Sequence, residues 1–144
     1  MSKHTNAALA RVIDFWEALS PSTVHAIDRV YSDKASFRDP FNDVHGIDAI
    51  RKILDHMFDA LTDVRFEIVD AARDGDNGFL TWNMKFRLKS RPNDAQRIHG
   101  ASHIRFDGSG LVVGHRDYWD AGEEVYEKVP VLGALIRLVK RRIG

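Results

Sequence analysis

The hydrophobic residues in the first third of the chain recur every three or four positions, which is the spacing of one helical face. This spacing predicts a first helix that ends at residues 20–22, a second over residues 24–31, and a third that follows Gly46. Between the second and third helices, apolar and polar side chains alternate over residues 35–39, and Pro40 follows them. That alternation predicts a short strand before the third helix.

The rest of the chain alternates between apolar and polar residues, with clusters of glycine, asparagine and aspartate at the breaks. Four further strands are predicted, over residues 64–72, 80–88, 97–106 and 111–119. Each would have one apolar and one polar face, as in an antiparallel sheet that is covered on one side. Helices followed by a meander of strands predict an α+β fold.

The composition narrows the class of protein. A chain of 144 residues with 44% hydrophobic and 29% charged residues is typical of one globular domain. It has 21 basic and 21 acidic side chains, and this zero formal charge argues against a nucleic-acid-binding protein. The lack of cysteine excludes disulfides, a thiolate nucleophile and metal sites built on sulfur. No signal-peptide pattern or apolar run of about 20 residues is visible, so we expect a cytoplasmic protein.

Five short segments, taken in their order and spacing, are similar to those of a known family. They are residues 15–19, Asp39-Pro40, residues 46–50, residues 103–110 and residues 116–120. Together they resemble the SnoaL-like and ketosteroid-isomerase-like branch of the nuclear transport factor 2-like superfamily. The resemblance implies a cone-shaped fold, with N-terminal helices packed in a strongly curved antiparallel or mixed sheet around a deep apolar pocket. It also implies a homodimer through the outer, polar face of the sheet.

Asp39 is the first candidate for chemistry. The resemblance puts it where the isomerases carry their general base, and strand alternation turns it inward. The alternative is a turn residue before Pro40 that accepts backbone hydrogen bonds. The resemblance also puts Phe15 and Ser102 at the positions of the two oxyanion donors. Because Phe15 has no donor and a serine hydroxyl is a weaker one, we do not expect a standard ketosteroid isomerase.

Asp117 is the second candidate, because it resembles an acidic residue of limonene-epoxide hydrolases. Strand alternation puts Val113, His115 and Trp119 on the same face as Asp117. His115 is about 6–7 Å from Asp117 along the strand, where the two could act as general acid or base or hold a water. The alternative is an ion pair between Asp117 and Arg116 or another basic residue on the surface. The epoxide hydrolases also need an arginine and a second aspartate where this chain has Met84 and Phe86, so their mechanism is incomplete here.

The apolar pocket should be lined by side chains from the inner faces of the predicted elements. We expect these to be Phe15, Phe58, Trp82, Met84, Ser102, Ile104 and Trp119. Plain core packing is the alternative for the aromatic and methionine residues. His99 and His103 share one strand face, but the sequence brings no third ligand near them, so we expect no metal site and no cofactor.

The last residues extend beyond the family domain. We divide the chain into a SnoaL-like domain, residues 1–122, and a C-terminal helical extension of the same domain, residues 123–144. The extension has acids early, bases late and one apolar side, which suits helix formation. We expect its apolar side to pack on the domain or on a dimer partner, and contact with an anionic membrane is the alternative.

These observations predict a protein that binds a small, largely apolar molecule in a deep pocket. Cofactor-free proton transfer of the isomerase, dehydratase, cyclase or hydrolase type would use Asp39 as base and Asp117 with His115 as acid or water-holder. The alternative is a non-catalytic ligand-binding or assembly module of the same fold. The sequence does not identify the substrate.

Overall fold

The computed structural model describes residues 3–120 and residue 141. Two helices, one short 3-10 helix and six strands follow one another along these residues. Their bounds are α1 (Lys3–Glu17), the 3-10 helix (Val24–Arg29), β1 (Tyr31–Arg38), β2 (Asp43–His45), α2 (Ile47–Ala60), β3 (Leu61–Asp74), β4 (Asn77–Leu88), β5 (Arg91–Phe106) and β6 (Val112–Tyr118). The prediction of an α+β fold with a curved mixed sheet is confirmed, whereas the predicted C-terminal helical extension lies outside the described residues.

The six strands form one sheet in the order β2-β1-β6-β5-β4-β3. β1 and β6 pair in parallel, and every other neighbouring pair is antiparallel. The parallel pair brings β1, which comes early in the chain, beside β6, the last strand. β6 therefore lies in the middle of the sheet, with β5 on one side and β1 on the other.

The apolar faces of the helices and strands meet in one core on the inner side of the sheet. Its fully buried large side chains are Tyr31, Ile27, Ile50, Ile104, Val12 and Val112. Along β5, every second residue from Ile98 to Phe106 is buried, as the alternation predicts. No helix among the described residues is long and apolar enough to cross a membrane.

The structure corrects three details of the sequence-based elements. The second helix is a 3-10 helix that ends at Arg29, and Tyr31 begins β1, because the backbone there pairs with β6 through the Val112 N–H and the Val30 carbonyl. The short strand β2 was not predicted. A β-bulge where β5 pairs with β6 buries Val112 instead of Val113, although His115 keeps the inward face that was predicted.

The turn between β5 and β6 depends on one carboxylate. Asp107 Oδ1 accepts hydrogen bonds from the Ser109 hydroxyl at 2.7 Å, the Ser109 N–H at 2.9 Å and the Leu111 N–H at 3.0 Å. These bonds, the Ser109 hydroxyl first, hold the pKa of Asp107 below its usual value. The ionised carboxylate thus stabilises the turn that connects β5 to β6.

We expect Asp107→Ala to lower the Tm at pH 7 and to lower it less as the pH falls below about 4. The sign follows from the lowered pKa, since the folded state binds its proton less readily than the unfolded state. The stabilisation is then present above the unfolded pKa and is lost as pH falls through the folded one. Thermal unfolding of the wild type and of Asp107→Ala between pH 7 and pH 3 gives the Tm difference at each pH. Asp94→Ala, on the exposed start of β5, is the control, and an equal Tm difference at every pH would contradict the prediction.

Candidate active site

Three polar side chains meet on the inner face of the sheet where β5 and β6 pair. His115 and Asp117 are two residues apart on β6, so both point inward, and Ser102 is the β5 partner of Asp117. Asp117 Oδ1 is 2.6 Å from His115 Nε2 and accepts a hydrogen bond from the Ser102 hydroxyl at 2.5 Å. The pairing of Asp117 with His115 was predicted from strand alternation, whereas the contact with Ser102 depends on the register of the two strands.

Three further side chains hold this group from behind. The Tyr31 hydroxyl is 2.7 Å from His115 Nδ1, and the Trp16 indole N–H donates to the Tyr31 oxygen at 2.9 Å. On the other side, the Trp82 indole N–H donates to the Ser102 oxygen at 2.8 Å. We call these six side chains the polar network: Trp16, Tyr31, His115, Asp117, Ser102 and Trp82.

The polar network is buried except at one end. The side chain of His115 is 3% exposed and that of Asp117 is 15% exposed. Tyr31 is fully buried, and this burial raises the pKa of its hydroxyl far above the usual range, with the charge of Asp117 acting in the same direction. Asp117 is therefore the member of the network that a molecule from outside can reach.

A small cavity lies against the open end of the polar network. Its volume is about 20 Å³, which is enough for about one water molecule. Apolar side chains form most of its wall, and the lining residues are Trp16, Phe66, Ile68, Leu80, Trp82, Ser102, His115 and Asp117. A carboxylate and an imidazole thus face an apolar space, where electrostatic interactions are stronger than in water.

The predicted pocket residues divide between the cavity and its surroundings. Trp82, Ser102, His115 and Asp117 line the cavity. Phe15, Met84 and Ile104 are buried in the core, and Phe58 is half-buried and packs against that core. Trp119 is half-buried beyond the end of β6, where its ring meets Phe41 edge-on at 5.4 Å. The ligand-binding roles assigned to all these side chains stay predictions.

Asp39 does not line the cavity. It follows β1 and holds a turn, because its Oδ1 accepts the N–H groups of Phe41 at 2.8 Å and Asn42 at 2.7 Å. The Asn42 side-chain amide donates to both of its carboxylate oxygens. These bonds are those of the alternative interpretation, a turn residue before a proline. Asp39 and Asp117 do share an open groove on the outside of the fold, so the role of Asp39 as a base stays a prediction.

The residues that support the pair from behind carry no local sequence signal for that role. The sequence predicts Tyr31 in a helix, and nothing local indicates that it begins a strand beside β6. Trp16 is predicted as pocket wall or core, and nothing in the sequence identifies the partner of its indole N–H. Phe66 and Ile68 both line the cavity. The sequence indicates only that they share one face of the strand predicted over residues 64–72.

Gly100 on β5 lets the Trp82 indole lie directly over the strand. A Cβ atom at Gly100 would lie 2.5 Å from Trp82 Cζ2 and 2.6 Å from Cη2, closer than real side chains approach each other. The ring can therefore occupy the space that a side chain would otherwise take, with its N–H directed at Ser102. The glycine is part of the reason that Ser102 is oriented toward Asp117.

Comparison with known proteins agrees with this architecture. The family model of the SnoaL-like domain matches residues 12–115. A cyclase, aurE from Calcarisporium arbuscula, is 28% identical over 114 residues, which cover 76% of this chain and 84% of that protein. The family match covers β5, with Ser102, and the first residues of β6 as far as His115.

Solved structures have the same fold at low sequence identity. An LEH-like epoxide hydrolase from M. tuberculosis superposes with a TM-score of 0.73 at 15% identity, covering 97% of this chain and 96% of that one. AclR, a putative hydroxylase from Streptomyces galilaeus, superposes with a TM-score of 0.67 at 17% identity, covering 96% and 90%. The chain belongs to the SnoaL-like family and has the nuclear transport factor 2-like fold.

Proposed function

We propose that this protein binds a small, largely apolar molecule beside Asp117 and moves a proton on it without a cofactor. The observation that carries the proposal is the buried His115–Asp117 pair at 2.6 Å, which faces a space with mostly apolar walls. A carboxylate that fixed donors hold in position beside an apolar space can act as a general base.

The geometry favours Asp117 as the reacting group. Among the described residues, His115 and Ser102 donate hydrogen bonds to Asp117, and both bonds go to Oδ1. Oδ2 is thus the oxygen that can meet a ligand. A positioned general base of this kind contributes roughly 10²–10⁴-fold to a rate.

A cyclase-type or isomerase-type reaction, begun by removal of a proton from carbon, is the class that we favour. The similarity to a protein named as a cyclase supports it. The ketosteroid isomerase mechanism is not supported, because Phe15 offers no donor and the Ser102 hydroxyl is already hydrogen-bonded to Asp117. Opening of an epoxide with acid assistance would need a proton donor that Met84 and Phe86 do not supply.

A non-catalytic ligand-binding module is the second candidate. The observation in its favour is that neither position expected to hold an oxyanion donor offers one, because Phe15 has none and the Ser102 hydroxyl donates to Asp117. In either candidate the molecule must displace part of the wall, because the cavity of about 20 Å³ is far smaller than the roughly 300–1,000 Å³ pocket of a drug-sized ligand. In the ligand-binding module the buried pair would orient a polar group of the ligand and no bond would change.

One experiment separates the two candidates. Wild-type protein is incubated in D₂O with a panel of small enolisable ketones, β-diketones and epoxides, and mass spectrometry follows deuterium incorporation and new products. We expect incorporation or ring closure for members of the ketone and diketone groups. Binding of a panel member by calorimetry with no isotope exchange would instead support the ligand-binding module.

A homodimer through the outer face of the sheet is a further part of the proposal. An apolar strip crosses that face and includes Ala71, Phe79, Ala101 and Tyr118. Phe79 is 45% exposed and Tyr118 is 50% exposed, and contiguous exposed apolar surface of this kind is typical of an interface. The Phe79 ring stacks on His103 at 4.9 Å, which holds the exposed ring in place on this face.

We expect light scattering to report a dimer at micromolar concentration, and Phe79→Glu to convert it to a monomer. Both subunits of a symmetric dimer contribute the same surface, so the substitution would bury one unpaired carboxylate from each subunit in the interface. Phe41→Glu, which changes an equally exposed aromatic residue outside the strip, is the control and should stay dimeric. A wild-type monomer at high micromolar concentration would contradict this part of the proposal.

A further inference from the structure

The two indole groups at the ends of the polar network determine the direction of every hydrogen bond between them. An indole N–H donates and cannot accept. Trp16 therefore gives its hydrogen to the Tyr31 oxygen, and Trp82 gives its hydrogen to the Ser102 oxygen. Neither hydroxyl can point its own proton back at its tryptophan.

The Tyr31 hydroxyl must then donate to His115. Tyr31 is fully buried, and its raised pKa keeps the proton on the oxygen. The nitrogen that faces it at 2.7 Å is Nδ1 of His115, which must accept and so carries no hydrogen. The ring proton of a neutral His115 consequently lies on Nε2, from which it is donated to Asp117.

A doubly protonated His115 would break this pattern. Its Nδ1–H would point at the Tyr31 oxygen, and the Tyr31 hydroxyl proton would lose its acceptor inside the core. A buried polar group without a partner destabilises the fold, because it loses its hydrogen bonds to water without replacing them. On the other side, Ser102 also donates to Asp117, so the carboxylate is the terminal acceptor of the whole network.

We infer that Tyr31, oriented by Trp16, is a positioning residue that holds His115 neutral in its Nε2–H tautomer, which leaves Asp117 as the single base of the site. What that base does rests on the proposed function, but the tautomer does not.

The test is the tautomer of His115, read by NMR from the two ring nitrogens of protein labelled with ¹⁵N-histidine. In wild-type protein and in Asp117→Asn, we expect the proton on Nε2 alone, because Tyr31 still donates to Nδ1 when the charge of Asp117 is removed. In the double variant Tyr31→Phe with Asp117→Asn, we expect a mixture of the two tautomers. The matched control is Phe37→Leu with Asp117→Asn, since the Phe37 ring contacts His115 at 4.8 Å without a hydrogen bond.

Three results would overturn the inference: a proton on Nδ1 in the wild type, a mixture in Asp117→Asn alone, or a single tautomer in the folded double variant. The first two results are measured on the wild type and on Asp117→Asn, which keep all the apolar core residues. The inference can therefore be refuted even if the double variant does not fold. The measurement involves no substrate. A wild-type and Asp117→Asn result as expected, together with no turnover of the ketone panel, would refute the proposed function and leave the tautomer assignment intact.

Discussion

Asp117→Asn is expected to reduce proton transfer on a panel ketone by roughly 10²–10⁴-fold while the fold stays intact. Asparagine has the shape of aspartate, and its carbonyl oxygen can still accept the hydrogen bonds from His115 and Ser102. The variant therefore removes the charge and the basic oxygen without emptying the site. Deuterium incorporation at equal protein concentration measures the loss.

Asp39→Asn is the matched control for that experiment. It changes the other carboxylate that the sequence identified, and Asp39 is held by the turn at Phe41 and Asn42 outside the cavity. We expect it to keep wild-type activity within a few-fold. A loss in Asp39→Asn that matches the loss in Asp117→Asn would mean that Asp39 is the base, as the resemblance alone implied. Full activity in Asp117→Asn would refute the assignment of Asp117.

Gly100→Ala is expected to destabilise the fold by about 1–3 kcal/mol, the usual cost of overpacking a core. The new Cβ would lie 2.5 Å from the Trp82 ring, which is buried and also meets Phe66 edge-on at 6.2 Å. The ring must shift, and its hydrogen bond to Ser102 should weaken with it. Denaturant unfolding gives the free energy, and the near-ultraviolet circular dichroism of tryptophan reports the displaced ring.

Gly108→Ala is the control, because a Cβ there meets no atom within 4 Å and the backbone has ordinary angles. We expect its free energy of unfolding to stay within about 0.5 kcal/mol of wild type. If Gly100→Ala were equally neutral, the Trp82 ring would have room to move, and Gly100 would not help to orient Ser102.

The alternation of side chains along β5 and β6 predicted the inner face of the sheet correctly. A strand repeats every two residues, so the order of residues in the chain is enough to assign Ser102, His115 and Asp117 to that face. The same rule failed at Val113, because the β-bulge that shifts the register arises from pairing with β5. Resemblance identified the family, and the match over residues 12–115 confirmed it.

The sequence by itself thus determined the order of the helices and of the longer strands, the polar and apolar faces of most strands, and the closeness of His115 to Asp117. These properties depend on residues that are near one another in the chain. Only the tertiary structure decided that Tyr31 and Trp16 support His115 and that Ser102 shares Asp117. Apart from the His115–Asp117 pair, the contacts of the polar network join residues 15 to 84 positions apart, across the parallel pairing of β1 with β6 and the packing of α1 on the sheet. Local periodicity carries no information about such pairings, because their geometry is set by how the whole chain closes around its core.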